Sequence, residues 1–214
     1  FLIAPTGYVV KIVISNSVSI EELGTLYAAM SLMTILSSYN DFGTTESLNY
    51  FLPGYIHEKD KKKITSTFSI AIITNLITSF TLSAFLFFGA HWLAQNYFNT
   101  PLAGTLLQIL LIQFIAGNLF STVSSFFQAI QDVRIQKSID FIRMFFLMCL
   151  VCALWFFNLS TIQYYAWAWS IAMLSGLLVA ILLLAYKYHS YFTLRAWKFN
   201  SLEFKTRSEE HTSE

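Results

Sequence analysis

Between Lys63 and Asp132 the chain carries no Asp, Glu, Lys or Arg, and a second charge-free stretch runs from Met144 to Tyr186. Each is too long for one membrane-crossing helix. A bilayer core takes about 20 apolar residues as helix, so each stretch is expected to fold back as a hairpin of two spans. The polar, Pro-bearing stretch 91–104 and the short turn 158–163 are the expected bends. Only 12% of the 214 residues are charged and 56% are hydrophobic, against about 25% charged in an ordinary soluble domain. The net charge of +1 offers no global attraction for nucleic acid or an acidic substrate. The expected fold class is an all-α membrane protein.

Six hydrophobic segments emerge, at residues 1–17, 23–39, 64–90, 102–127, 139–157 and 162–186, which predicts a six-transmembrane-helix bundle. The second opens near Ile20, because Ser19-Ile20-Glu21-Glu22 fits a capping box whose Ser and Glu side chains satisfy free N–H groups at a helix start. Ser160-Thr161-Ile162-Gln163 offers the same pattern ahead of the sixth segment. Thr100-Pro101 puts a proline at the first helical position of the fourth. The chain opens at Phe1 inside an apolar run, so the first helix is expected to be truncated and the true N-terminus to lie upstream. The bundle is expected over 1–198 and a cytoplasmic tail over 199–206. Arg207-Ser208-Glu209-Glu210-His211-Thr212-Ser213-Glu214 resembles a translated sequencing adapter, so 207–214 is set aside as an expected artefact.

Orientation follows from Lys and Arg, which concentrate in loops that stay cytoplasmic. Lys59, Lys61, Lys62 and Lys63 follow the second segment, Arg134 and Lys137 the fourth, and Lys187, Arg195 and Lys198 the sixth. The loops at 91–100 and 158–163 hold neither residue and are expected outside. Trp92, Tyr97, Trp155, Tyr164 and Trp167 suit the outer headgroup layer, and Tyr186, Tyr188 and Trp197 the inner one. Interleaved aromatic and basic residues over 188–204 predict an interfacial helix.

Motifs for soluble catalysis find no support. Asp41-Phe42-Gly43 spells the kinase metal-binding tripeptide without the other kinase signatures. Cys149 and Cys152 have C-x-x-C spacing inside an apolar segment, without a second ligand pair. His57, His91 and His189 sit in separate connections, so no metal site, catalytic residue or cofactor is expected. Ionisable groups at or inside the spans carry more information, because burying one in hydrocarbon costs on the order of 2.5–3.5 kcal/mol on insertion scales. Lys11, Asp41, Glu46, Asp140 and Arg143 qualify. Asp140 and Arg143 stand three apart on one helix and have the spacing of an ion pair, and Lys11 has the stem to snorkel to the outer interface.

The order of features resembles the N-terminal half of polysaccharide and O-antigen flippases, in the superfamily of multidrug and toxin exporters. The resemblance runs from Ser19-Ile20-Glu21-Glu22-Leu23-Gly24 through Asn40-Asp41-Phe42-Gly43 to Phe51-Leu52-Pro53-Gly54-Tyr55 and the basic Lys59–Lys63 loop, and covers the chain to about Lys198. It implies a transporter of two six-helix lobes around a cavity, with this chain as the first lobe and the second lobe as its partner. A lipid-linked sugar in the cytoplasmic membrane is the implied substrate, its pyrophosphate drawn to basic residues, with Arg143 and Lys11 the implied candidates. Two alternatives stay open. A multidrug and toxin-type exporter of an amphipathic cation would use carboxylates, here Asp41 and Glu46. A membrane-embedded glycosyl- or acyltransferase would need a clustered His or Asp pair that the sequence does not show.

Overall fold

The computed structural model describes residues 3–41 and 43–192. Seven α-helices follow one another: α1 (Ile3–Ser17), α2 (Ile20–Asn40), α3 (Thr44–His57), α4 (Lys61–Asn96), α5 (Pro101–Ala129), α6 (Val133–Phe156) and α7 (Ile162–Lys187), then a 3₁₀ turn at His189–Tyr191. Among the described residues there is no strand. By length and composition α4, α5, α6 and α7 can each cross a membrane. At 1.5 Å per residue, the 36 residues of α4 reach about 54 Å and the 15 of α1 about 22 Å, against a hydrocarbon core of about 30 Å. The expectations for the tail, Arg195, Trp197, Lys198 and residues 207–214 fall outside the described residues.

Helix ends obey local chemistry, with some departures from the sequence expectation. At α2 the Ser19 hydroxyl accepts from the Glu22 N–H at 3.2 Å and the Glu22 carboxylate accepts from the Ser19 N–H at 3.0 Å, the expected capping box. The second expected box does not form. Thr161 is the N-cap of α7 and makes no side-chain capping bond, which puts Gln163 at the second helical position, one short of the reach back to the cap. Pro101 opens α5 as expected. The bend expected at 91–104 contracts to 97–100, since α4 runs on through His91 and Trp92 to Asn96. Asp60 draws the other end of α4 back to Lys61 by accepting from the Lys62 and Lys63 N–H groups, both at 3.1 Å.

A helix unforeseen in the sequence, α3, occupies what read as a connection. Leu48, Leu52 and Tyr55 recur at i, i+4 and i+7 and are buried, one face of a helix packed on α4 and α5. Pro53 lies inside it and removes one backbone donor, a breaker by propensity that packing overrides. Asn49 Nδ2 donates to Gln128 Oε1 on α5 at 3.2 Å.

The bundle is organised around α5, which packs against α2, α3, α4 and α7. Its buried apolar residues fall into two clusters. Leu106, Leu110 and Phe114 pack with Val10, Ile14, Leu26, Leu147 and Tyr165 toward one end, and Phe126 and Phe127 with Leu48, Leu52, Phe68, Ile139 and Tyr188 toward the other. At the second end Asp132 accepts from the Tyr188 hydroxyl and from Lys187 Nζ at 3.2 Å. The Tyr188 hydrogen bond, more than any other contact, holds the Asp132 carboxyl below its ordinary range.

Between the clusters lies a polar layer. Ser79 Oγ accepts from Asn40 Nδ2 at 2.8 Å and Asn118 Nδ2 at 3.2 Å and donates to Asn75 Oδ1 at 3.1 Å. Asn75 Nδ2 donates to Thr122 Oγ1 at 2.9 Å. The full bonding capacity of the Ser79 hydroxyl is used, so α2, α4 and α5 are cross-linked through one oxygen. Ser83, one turn further along α4, is also buried but its hydroxyl has no partner. Interhelical hydrogen bonds inside membranes average about 0.6 kcal/mol each, and stranding buried partners costs more. Ser79→Ala is therefore expected to destabilise the protein by about 2 kcal/mol and Ser83→Ala to be neutral or mildly stabilising; unfolding of both variants in detergent checks the pair.

Candidate functional site

The polar layer forms one wall of a groove of about 510 Å³. Its lining comes from α2, the α2–α3 corner, α4, α5 and α7. Met30, Met33, Phe114 and Met173 supply apolar surface; Thr34, Ser37, Ser38, Asn75, Gln113, Asn118 and Ser121 supply neutral hydrogen-bonding groups. Among the described residues, Ser37 and Ser121 spend no hydroxyl on a protein partner, and the buried Gln113 Oε1 accepts nothing. The surface offers many neutral donors and acceptors to a molecule lying along it, with thioether and ring carbon for its apolar faces.

The acidic end of the groove is built by the break between α2 and α3. Gly43 takes φ +73°, a left-handed conformation that costs an L side chain roughly 1–2 kcal/mol, so the chain turns there. Asp41 accepts from Thr44 Oγ1 at 2.6 Å, Thr45 Oγ1 at 2.8 Å and the Thr45 N–H at 3.2 Å. Its charge thus sits at the N-terminus of α3, where the helix dipole favours an anion. Glu46, in the first turn of α3, is exposed and lines the groove with Asp41 and Thr45. Two of the four substrate-binding candidates from the sequence, Asp41 and Glu46, are brought together here.

The two basic candidates lie elsewhere. Lys11 is on the exposed face of α1, makes no ion pair among the described residues and does not line the groove. Arg143 on α6 is half-buried between α5 and α7. Its guanidinium carbon lies 5.8 Å from the Phe120 ring centroid, and Nη1 donates to Met173 Sδ at 3.7 Å. The ion pair open to it from sequence spacing is not formed. Asp140 pairs with Lys137 at 3.7 Å, and Arg143 has no carboxylate within ion-pair distance among the described residues. Its Nε is buried without a partner among the described residues. Space for the stem depends on Gly176, where an added Cβ would stand 2.8 Å from Arg143 Cδ and 3.2 Å from its Cβ. Met173 lines the groove, so a single thioether side chain separates the guanidinium from it.

Sequence reasoning had no means of finding Asn75, Asn118, Gln113 or Met173. An amide or thioether inside an apolar segment has no local signature, and only the packing of α4, α5 and α7 turns these side chains to one groove.

A family model described as polysaccharide biosynthesis protein matches residues 1–208. An uncharacterized membrane protein of Methanocaldococcus jannaschii is 24% identical over 135 residues, which cover 61% of this chain. The chain spans 27% of that relative's length. No solved structure matches the chain.

Proposed function

The chain belongs to the polysaccharide biosynthesis protein family, and from that membership we propose that it forms one lobe of a flippase. It moves a lipid-linked oligosaccharide or polysaccharide precursor across the cytoplasmic membrane by alternating access, and performs no covalent chemistry. A second six-helix lobe of the same protein closes the groove from the facing side. In this reading α2 and α3 together make one interrupted membrane helix, and interrupted helices near the midplane are a recurrent way for transporters to build a substrate site.

The observation that carries the reading is the lining of the groove. A saccharide presents hydroxyls that both donate and accept, and Ser37, Ser38, Asn75, Gln113, Asn118 and Ser121 answer with groups of the same kind. The pyrophosphate is assigned to Arg143. A guanidinium held inside a span without a carboxylate costs free energy that a ring face and a sulfur offset only partly, and it can bind two phosphate oxygens at once where an ammonium acts as a point charge. Displacement of the flexible Met173 side chain opens the way to it. Lys11 is left to the outer interface.

The acidic corner favours a second reading, an exporter of amphipathic cations, because Asp41 and Glu46 line the groove and Arg143 does not. Glycan export by the full-length protein, in cells depleted of their own flippase, separates the two. Arg143→Gln is expected to abolish export and Arg143→Lys to reduce it severalfold, with membrane insertion unchanged. Asp140→Asn is expected to leave export intact and not to rescue Arg143→Gln. Extrusion of a cationic dye in place of glycan, insensitive to Arg143→Gln, would overturn the flippase reading.

Orientation belongs to the same proposal. The basic connections around Lys59, Arg134 and Lys187 are cytoplasmic, and 97–100 and 157–161 face outward. Cysteines at Asn96 and Asn158 are expected to react with an impermeant probe in intact cells; reaction only after permeabilisation would invert the topology.

A further inference from the structure

A second cavity, of about 200 Å³, lies at the end of the bundle away from the Lys59–Lys63 connection, where α1 and α6 end and α7 begins. Asn16, Ser17, Trp155, Asn158, Ser160 and Tyr165 line it. Tyr165 is wholly buried, and its hydroxyl has no hydrogen-bond partner among the described residues. Removing an unpaired hydroxyl from water is unfavourable, and phenylalanine in the same place would avoid that cost. Of the other polar groups, Ser17 Oγ donates to the Val13 carbonyl at 2.6 Å and Asn16 Nδ2 to the Ile12 carbonyl at 2.9 Å, while Asn16 Oδ1 and the side chains of Asn158 and Ser160 make no hydrogen bond among the described residues. Trp155 is 57% exposed and adds an apolar ring face. No Asp, Glu, Lys, Arg or His is among its lining residues.

Those properties define a ligand. The lining offers no formal positive charge to pair with a phosphate and no carboxylate to pair with an ammonium. Neutral amides and hydroxyls beside an indole suit a ring with an apolar C–H face and a rim of hydroxyls. Resting on the glycan reading above, we propose that this cavity is a binding subsite for one pyranose unit at the outer mouth of the lobe. Its sugar comes from the exported glycan or from a glycolipid headgroup of the outer leaflet.

Saturation-transfer NMR on the full-length protein in phosphatidylcholine nanodiscs tests it, with the methyl glycosides of glucose, galactose, mannose, rhamnose and N-acetylglucosamine as probes. At least one glycoside is expected to receive magnetisation on its ring protons, with the effect reduced at least fivefold in Tyr165→Phe and in Trp155→Leu. Because the Tyr165 hydroxyl has no partner among the described residues, Tyr165→Phe is expected to fold with thermal stability equal to or above that of the parent protein, so a loss of signal there reports binding. No transfer to any of the five, or transfer unchanged in Tyr165→Phe, overturns the proposal and leaves a hydrated crevice. Doping the discs with glucosyl diacylglycerol separates the sources: loss of the signal assigns the subsite to a membrane headgroup, and its persistence to the travelling glycan. Normal export without saturation transfer removes the subsite alone, and saturation transfer without export removes the transport reading alone.

Discussion

The hydroxyl of Ser79 ties the central helices of this bundle together. It joins Asn40, Asn75 and Asn118 from three helices in a layer between two apolar clusters. In an interior this apolar an unpaired amide costs more than the bond it forgoes, so the three asparagines constrain where α2, α4 and α5 can sit. Apolar packing alone would tolerate a small slide of one helix along another. The network does not, and Asn75 and Asn118, which belong to it, are also groove residues. Structural support and groove surface are here the same side chains.

The break between α2 and α3 follows from that arrangement. Asn40 is tied into the layer at the last residue of α2, and Gly43 lets the chain turn immediately afterward. Asp41 caps the new helix, and the turn sets Glu46 on the groove. A continuous helix would leave no free N-terminus for Asp41 to cap. The acidic pair is thus a consequence of interrupting the helix beside the polar layer, and it gives the groove a charged end opposite in sign to Arg143.

Much of the architecture was legible in the sequence because charge is costly in hydrocarbon. The charge-free stretches located the apolar parts of α4, α5, α6 and α7, and Ser19 with Glu22 located the start of α2. Legibility failed where tertiary packing outvotes local preference. Pro53-Gly54 reads as a breaker, yet Leu48, Leu52 and Tyr55 bury enough surface on α4 and α5 to keep α3 helical through it. The capping pattern at Ser160 failed by a single residue of helix start. Of the site, Asp41, Glu46 and Arg143 stood out as ionisable groups in an apolar context. That Arg143 avoids Asp140 and lies behind Met173 depends on the space left by Gly176, which no spacing rule encodes.

On the proposed function, the groove beside the polar layer is a wet, transport-active surface inside the membrane. Thiol accessibility at Ser121, on its wall, tests it most directly, in full-length protein with Cys149 and Cys152 replaced by alanine. A charged, membrane-impermeant thiol reagent is predicted to modify Ser121→Cys in sealed vesicles of either orientation, as a groove opening alternately to the two sides requires. Modification by a lipid-soluble reagent alone would place Ser121 against lipid and contradict the account.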